Sequence, residues 1–203
     1  MRLFCTLTSP YARKVRVVLA EKKIDCELLI ESPRTSELIA NYNPLARVPV
    51  LVLDDDTSIY DSSVIVEYLD NVAPNNKLMP QPNRERIEVK VREALADGLL
   101  DAAVSIRGEM QRPAKVRDTA AIGRNHLAIG RSLQAMETKL GENTWSMGTH
   151  FCLADVALGC ALGYLDFRFG DIDWRPAQPN LARLYEKLMQ RPSFIDTVPP
   201  VGA

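Results

Sequence analysis

The stretch Asn43-Pro44-Leu45-Ala46-Arg47-Val48-Pro49-Val50-Leu51-Val52-Leu53 decides how the rest of the chain is read. Val50 to Leu53 lacks the polar alternation of a half-exposed strand. Asn43-Pro44 before it and Asp54-Asp55-Asp56 after it supply turn chemistry at both ends. The run therefore reads as a buried central strand. Pro49 has no N–H to give to a ladder, so it fits the first residue of such a strand or its edge. In a cis Val48–Pro49 bond the N–H and C=O of Val48 would face outward, able to pair with an extended peptide-like ligand. Only about 5 to 6% of X–Pro bonds in folded proteins are cis, a strong prior for the trans form that the local sequence alone does not overturn.

Upstream, Arg2 to Thr6 reads as a short strand. It ends at Thr8-Ser9-Pro10, from which Tyr11, Val15, Val18, Leu19 and Lys22 recur at helical spacing. Ser9 suits the N-cap, Pro10 the first helical position, and the helix ends near Lys22-Lys23. Cys26 to Ile30 is a second strand, and a short helix is expected around Arg34 to Asn41. Downstream, the acidic turn leads as a hairpin into Ser58-Ile59-Tyr60. Asp61-Ser62-Ser63 then caps a helix with Ile65, Tyr68, Leu69 and Val72 on one face. The first half is thus β-α-β-α-β-β-α.

Pro74 to Asn83, with Pro80 and Pro82 inside it, interrupts this pattern and reads as a linker. The expected division is 1–76, a linker at 77–83, and 84–203. Beyond the linker no strand is needed. Ile87, Val91, Leu95, Leu99, Ala102 and Ile106 mark a long amphipathic helix, and Ile122, Ile129, Leu133, Met136 and Leu140 mark a second. A third, starting near Cys152, is apolar almost all round and should form the centre of the second core. A last helix spans Leu181 to Gln190. The fold class is α+β, a mixed first domain followed by an all-α domain.

The charge balance, 25 basic against 26 acidic residues, gives no reason to expect a nucleic acid or an anionic membrane as partner. The N-terminal residues meet polar positions too soon for a signal-peptide core, and no run is long enough to span a bilayer, so a cytoplasmic protein is expected. Cys5, Cys26, Cys152 and Cys160 form no C-x-x-C and each lies in an apolar stretch, which implies no disulfide. His126 and His150 are too differently placed to suggest a metal pair.

Three polar points remain: Ser9, Val48 before Pro49, and Asp61-Ser62. A helix N-terminus with a hydroxyl favours an anion, and a neighbouring Asp can hold an amine, yet each position alone is also an ordinary cap. Taken in this order, within a β-α-β-α-β-β-α unit followed by an all-helical one, they resemble the glutathione S-transferase family over nearly the whole chain. The resemblance implies a thioredoxin-like first domain in which Val48 pairs by its backbone with the cysteine of glutathione and Asp61-Ser62 holds the γ-glutamyl end. Ser9 corresponds to the thiol-facing position of the serine-bearing bacterial and theta-, delta- or zeta-like members, and is the catalytic candidate. Glutathione is then the co-substrate and a small electrophile the second substrate, held by the first long helices of the helical domain, where Arg107, Glu109 and His126 are candidates. The resemblance also implies a homodimer. Isomerase or dehalogenase activity, thiol-disulfide exchange, and glutathione binding with little turnover are the alternatives.

Two departures from the family pattern stand out. Gly-Lys before Val-Pro is Ala46-Arg47 here, and the helical signature Gly148-Thr149-His150-Phe151-Cys152-Leu153-Ala154-Asp155 has a cysteine where a hydroxyl is usual. The first is expected to leave the loop intact. The second should shift capping onto Asp155.

Overall fold

The computed structural model describes residues 1–200 and 202. Two compact units result, one comprising Met1–Met79 with the C-terminal segment from Met189, the other Pro80–Leu188.

The first unit is built on a sheet of four short strands, β1 (Arg2–Cys5), β2 (Glu27–Ile30), β3 (Val50–Val52) and β4 (Ser58–Tyr60), in the order β2-β1-β3-β4. β1 and β2 run parallel, while β3 is antiparallel to both β1 and β4. The apolar run read first is therefore central, and all three residues of β3 are buried. Successive side chains alternate between faces. Phe4, Val50 and Val52 thus point together, and Ile39 of α2 (Leu38–Tyr42) closes over them. Leu3, Cys5 and Leu51 point the other way, the face on which α3 (Ser62–Val72) packs on β3 and α1 (Pro10–Lys22) packs on α3.

The α2 helix starts later than the sequence spacing suggests, at Leu38 rather than around Arg34. Pro33 and Ser32 are the cause. The Ser32 hydroxyl accepts from the N–H of Arg34, and the Ser32 carbonyl from those of Thr35 and Ser36, so this segment is held as a turn.

The second unit consists of α4 (Asn83–Met110), a short 3₁₀ turn (Ala114–Val116), α5 (Thr119–Leu140), α6 (Leu153–Arg168) and α7 (Pro179–Leu188). α6 is buried on every side from Leu153 to Leu165, the centre expected of a helix without a polar face. Asp155 caps it as anticipated, its carboxylate accepting from the N–H of Cys152 at 2.9 Å and of Ser146 at 2.6 Å. A second carboxylate acts similarly at a distance in sequence. Glu137 on α5 accepts from the N–H groups of Asn180 and Leu181, meeting the open donors at the start of α7.

The partition differs from the sequence expectation at two places. Leu78 and Met79 are buried, and their N–H groups donate to Asp70, which also pairs with the buried Lys22 at 2.9 Å. The supposed linker residues 77–79 thus belong with the first unit. So does the C-terminal segment, which carries α8 (Pro192–Ile195): Arg13 donates to the Phe194 carbonyl at 3.1 Å, and Arg191 makes a two-pronged ion pair with Glu21 at 2.8 and 2.7 Å. These polar residues of α1 face chain more than 160 residues later, so no local pattern could reveal the contact.

Candidate functional site

Ser9 leaves β1 in extended conformation and starts α1. Its Oγ accepts from the N–H of Ala12 at 3.2 Å and its carbonyl from that of Arg13 at 2.9 Å, with Pro10 at the first helical position. An oxygen that accepts in a cap keeps its own hydrogen to donate. The half-buried Ser9 hydroxyl can therefore give a hydrogen bond to an anion beside the positive helix end while still serving as the N-cap.

Val48–Pro49 is a cis peptide. Pro49 is buried and Val48 half-buried, and neither backbone group of Val48 is hydrogen-bonded among the described residues. The loop before it is organised by Asn43, a buried side chain that the sequence reading took only as a turn former. Its amide donates to the Arg47 carbonyl at 2.9 Å, and its Oδ1 accepts from the Leu45 N–H at 3.0 Å. Ala46, where the family has glycine, takes φ +49° in this loop.

Asp61 is the N-cap of α3, its carboxylate accepting from the N–H of Ser63 at 2.8 Å and from its hydroxyl at 2.9 Å. It does so at φ +66° and ψ 130°, a conformation that costs a non-glycine residue of order 1–3 kcal/mol and is typically held at ligand sites. Ser62, expected to share the capping, is instead the first helical residue and is buried.

Strand register brings these three segments to one end of the sheet. Phe4, Val50 and Tyr60 lie in a row across β1, β3 and β4. Because β3 is antiparallel to both neighbours, its N-terminal approach, with Val48, lies between the C-terminal exits of β1, toward Ser9, and of β4, toward Asp61-Ser62. Adjacent strands are about 4.8 Å apart.

The cysteines offer no thiolate here. All four are free. Burial pushes the Cys5 thiol up, that of Cys26 up to about 11 and that of Cys152 up to about 12. In the helical unit Glu109 is occupied, accepting from Arg112 at 2.8 Å and from the Asp118 N–H at 2.9 Å, so it braces the α4–α5 turn. His126 meets the Phe169 ring edge-on at 6.4 Å.

Comparison with known proteins gives the family to which this fold belongs. The sequence model of the glutathione S-transferase N-terminal domain matches residues 3–77, and that of the C-terminal domain matches residues 119–187. The uncharacterized GST-like protein YibF of Escherichia coli strain K12 is 40% identical over 98% of this chain and 99% of its own. The chain belongs to the glutathione S-transferase family. Among solved members of that family, a glutathione S-transferase from Methylobacillus flagellatus KT with glutathione bound superposes with a TM-score of 0.95 at 46% identity, over 98% of this chain and 99% of that one. One from Methylobacterium radiotolerans JCM 2831, in complex with glutathione sulfonate, gives 0.95 at 39% identity over 100% and 96%.

Proposed function

We propose that the protein is a glutathione transferase in which Ser9 stabilises the thiolate of bound glutathione for attack on a small electrophile. One observation carries this reading: the Ser9 hydroxyl accepts from within its own helix and so keeps its hydrogen for a ligand. A free thiol has a pKa of about 8.5, and lowering it by two units takes about 2.7 kcal/mol of preferential anion stabilisation. A charge-assisted hydrogen bond contributes on the order of 1.5–3 kcal/mol and the helix end up to about 2, with overlap between them. The two together meet the need. With an aryl halide the thiolate sulfur then forms a C–S bond, the C–halogen bond breaks, and halide leaves with the electron pair.

Val48 supplies backbone groups for the tripeptide's cysteine, Asp61 a carboxylate for its γ-glutamyl amine, and Ser62 a hydroxyl for the carboxylate beside that amine. Each of Asp61→Ala and Ser62→Ala should weaken glutathione binding about tenfold or more in calorimetric titration, since each removes a partner of a charged group. Wild-type affinity in both variants would reduce these residues to helix caps.

Thiol-disulfide exchange is disfavoured because a serine stands where that chemistry needs a thiolate, and the nearest cysteine, Cys5, is fully buried with its thiol pushed up. The reading extends to a cytoplasmic detoxifying enzyme acting as a homodimer. Ile87 and Val91, one turn apart on α4 and both at least half exposed, support an apolar contact between copies. Sedimentation velocity at micromolar concentration should then give a dimer, and Ile87→Asp a monomer; a monomeric wild type removes this part of the account.

A further inference from the structure

Within the helical unit, where α4 packs on both α5 and α6, a cavity of about 10 Å³ lies by the end of α5 and the start of α6. That is about the space one water occupies. Leu95, Met136 and Leu158 give it apolar walls, but Arg92, Lys139 and Ser146 also line it. All six belong to Pro80–Leu188.

Two of these polar residues carry buried atoms with no hydrogen-bond partner among the described residues, Arg92 Nε and Ser146 Oγ. Arg92 directs its other nitrogens to Glu88, at 2.8 Å, and to the Lys139 carbonyl in the last turn of α5, at 3.4 Å. Its Nε–H is left over. Ser146, 3% exposed, gives its N–H to Asp155 at 2.6 Å, and its hydroxyl lies beside the same carboxylate without an aligned hydrogen bond.

A buried donor or acceptor left unmade costs the full desolvation of the group, so two orphans on one small cavity call for a shared partner. Cavities that stay dry are apolar ones. A larger ligand does not fit the volume. An anion would suit the donors but not the charges, since Glu88 already pairs with Arg92 and the Asp155 carboxylate lies beside Ser146, while Lys139 is exposed to solvent. Water meets every requirement: its oxygen accepts from Arg92 Nε–H, one of its hydrogens goes to Ser146 Oγ, and the serine hydrogen is free to turn toward Asp155.

We infer that this cavity is a binding site for a single structural water held by Arg92 and Ser146. The water continues the cap of α6: Asp155 holds Ser146, Ser146 the water, the water Arg92 on α4, and Arg92 the end of α5. The site is independent of the reaction the protein catalyses.

A crystal structure of the full-length protein at near-atomic resolution tests it. One ordered water should lie within about 2.7–3.2 Å of both Arg92 Nε and Ser146 Oγ. No density there, or Ser146 Oγ and Arg92 Nε bonded to each other, would overturn the proposal. So would an anomalous peak at that point in crystals grown in bromide, which would mean an anion. Urea denaturation supplies the energetic arm, in a Glu88→Ala background that removes the surface ion pair from the comparison. Ser146→Ala and Arg92→Met should each lower the folding equilibrium constant about 5- to 100-fold, since each leaves the other group with a poorer partner. The double variant should lose about 3- to 10-fold less than the product of the two, the coupling expected of groups in one hydrogen-bond network. Losses that simply multiply would show that no water joins the two groups.

Discussion

Ala46 shows how a single residue can carry a cost that sequence inspection undervalues. The substitution of alanine for the family's glycine is visible in the sequence, but whether it matters depends on the local backbone angle. That angle is φ +49°, the left-handed region, where an L-residue with a Cβ is disfavoured by about 1–2 kcal/mol. Glycine would escape this, offset by its greater freedom in the unfolded chain, about 0.5–1 kcal/mol. Ala46→Gly should therefore stabilise the protein by roughly 0.5–1 kcal/mol, read as a higher urea midpoint at unchanged slope; a lower midpoint would show that the loop carries no such strain. Asn43 fixes the loop from within, with hydrogen bonds to the Arg47 carbonyl and the Leu45 N–H. Its role was hidden in the sequence because Asn before Pro reads equally as any turn.

At the scale of elements, α1 was legible from its cap, its proline and its apolar spacing, whereas its polar side was not. Arg13, Glu21 and Lys22 are buried, and each is held by chain remote from it. Glu21 shows the energetic consequence. Burial raises its pKa, but the hydrogen bonds from Arg191 and Ser193 and the Arg191 charge outweigh this and leave it below the usual value. A depressed carboxylate stabilises the fold fully above its unfolded pKa of about 4.3, and that contribution is lost as pH falls through the lower folded value. Arg191→Ala should thus destabilise the protein by on the order of 2 kcal/mol at pH 7, between the values for exposed and buried pairs because Arg191 is partly exposed. The gap between variant and wild type should narrow as pH falls below the unfolded value of about 4.3 and through the lower folded one. Chemical denaturation across pH 3–7 checks this, and a gap independent of pH would assign the loss to packing.

Over the whole molecule, the order of elements and the all-round burial of α6 followed from periodicity, and the family from the order of three polar points along the chain. Their meeting at one end of the sheet did not, because it depends on β3 running antiparallel to both neighbours, a matter of register that no local stretch encodes. The affiliation of the C-terminal segment that carries α8 with the first unit escaped for the same reason. What the account asserts of the assembled protein is that the thiolate of glutathione is made at Ser9. The most direct measurement is the ultraviolet thiolate band of bound glutathione as a function of pH. In wild type it should titrate about two units below free glutathione, and in Ser9→Ala it should move most of the way back, with kcat/KM toward an aryl halide falling in parallel and glutathione affinity nearly unchanged. A wild-type band that titrates as in free solution, with conjugation intact in Ser9→Ala, would contradict the account and leave Ser9 as a helix cap.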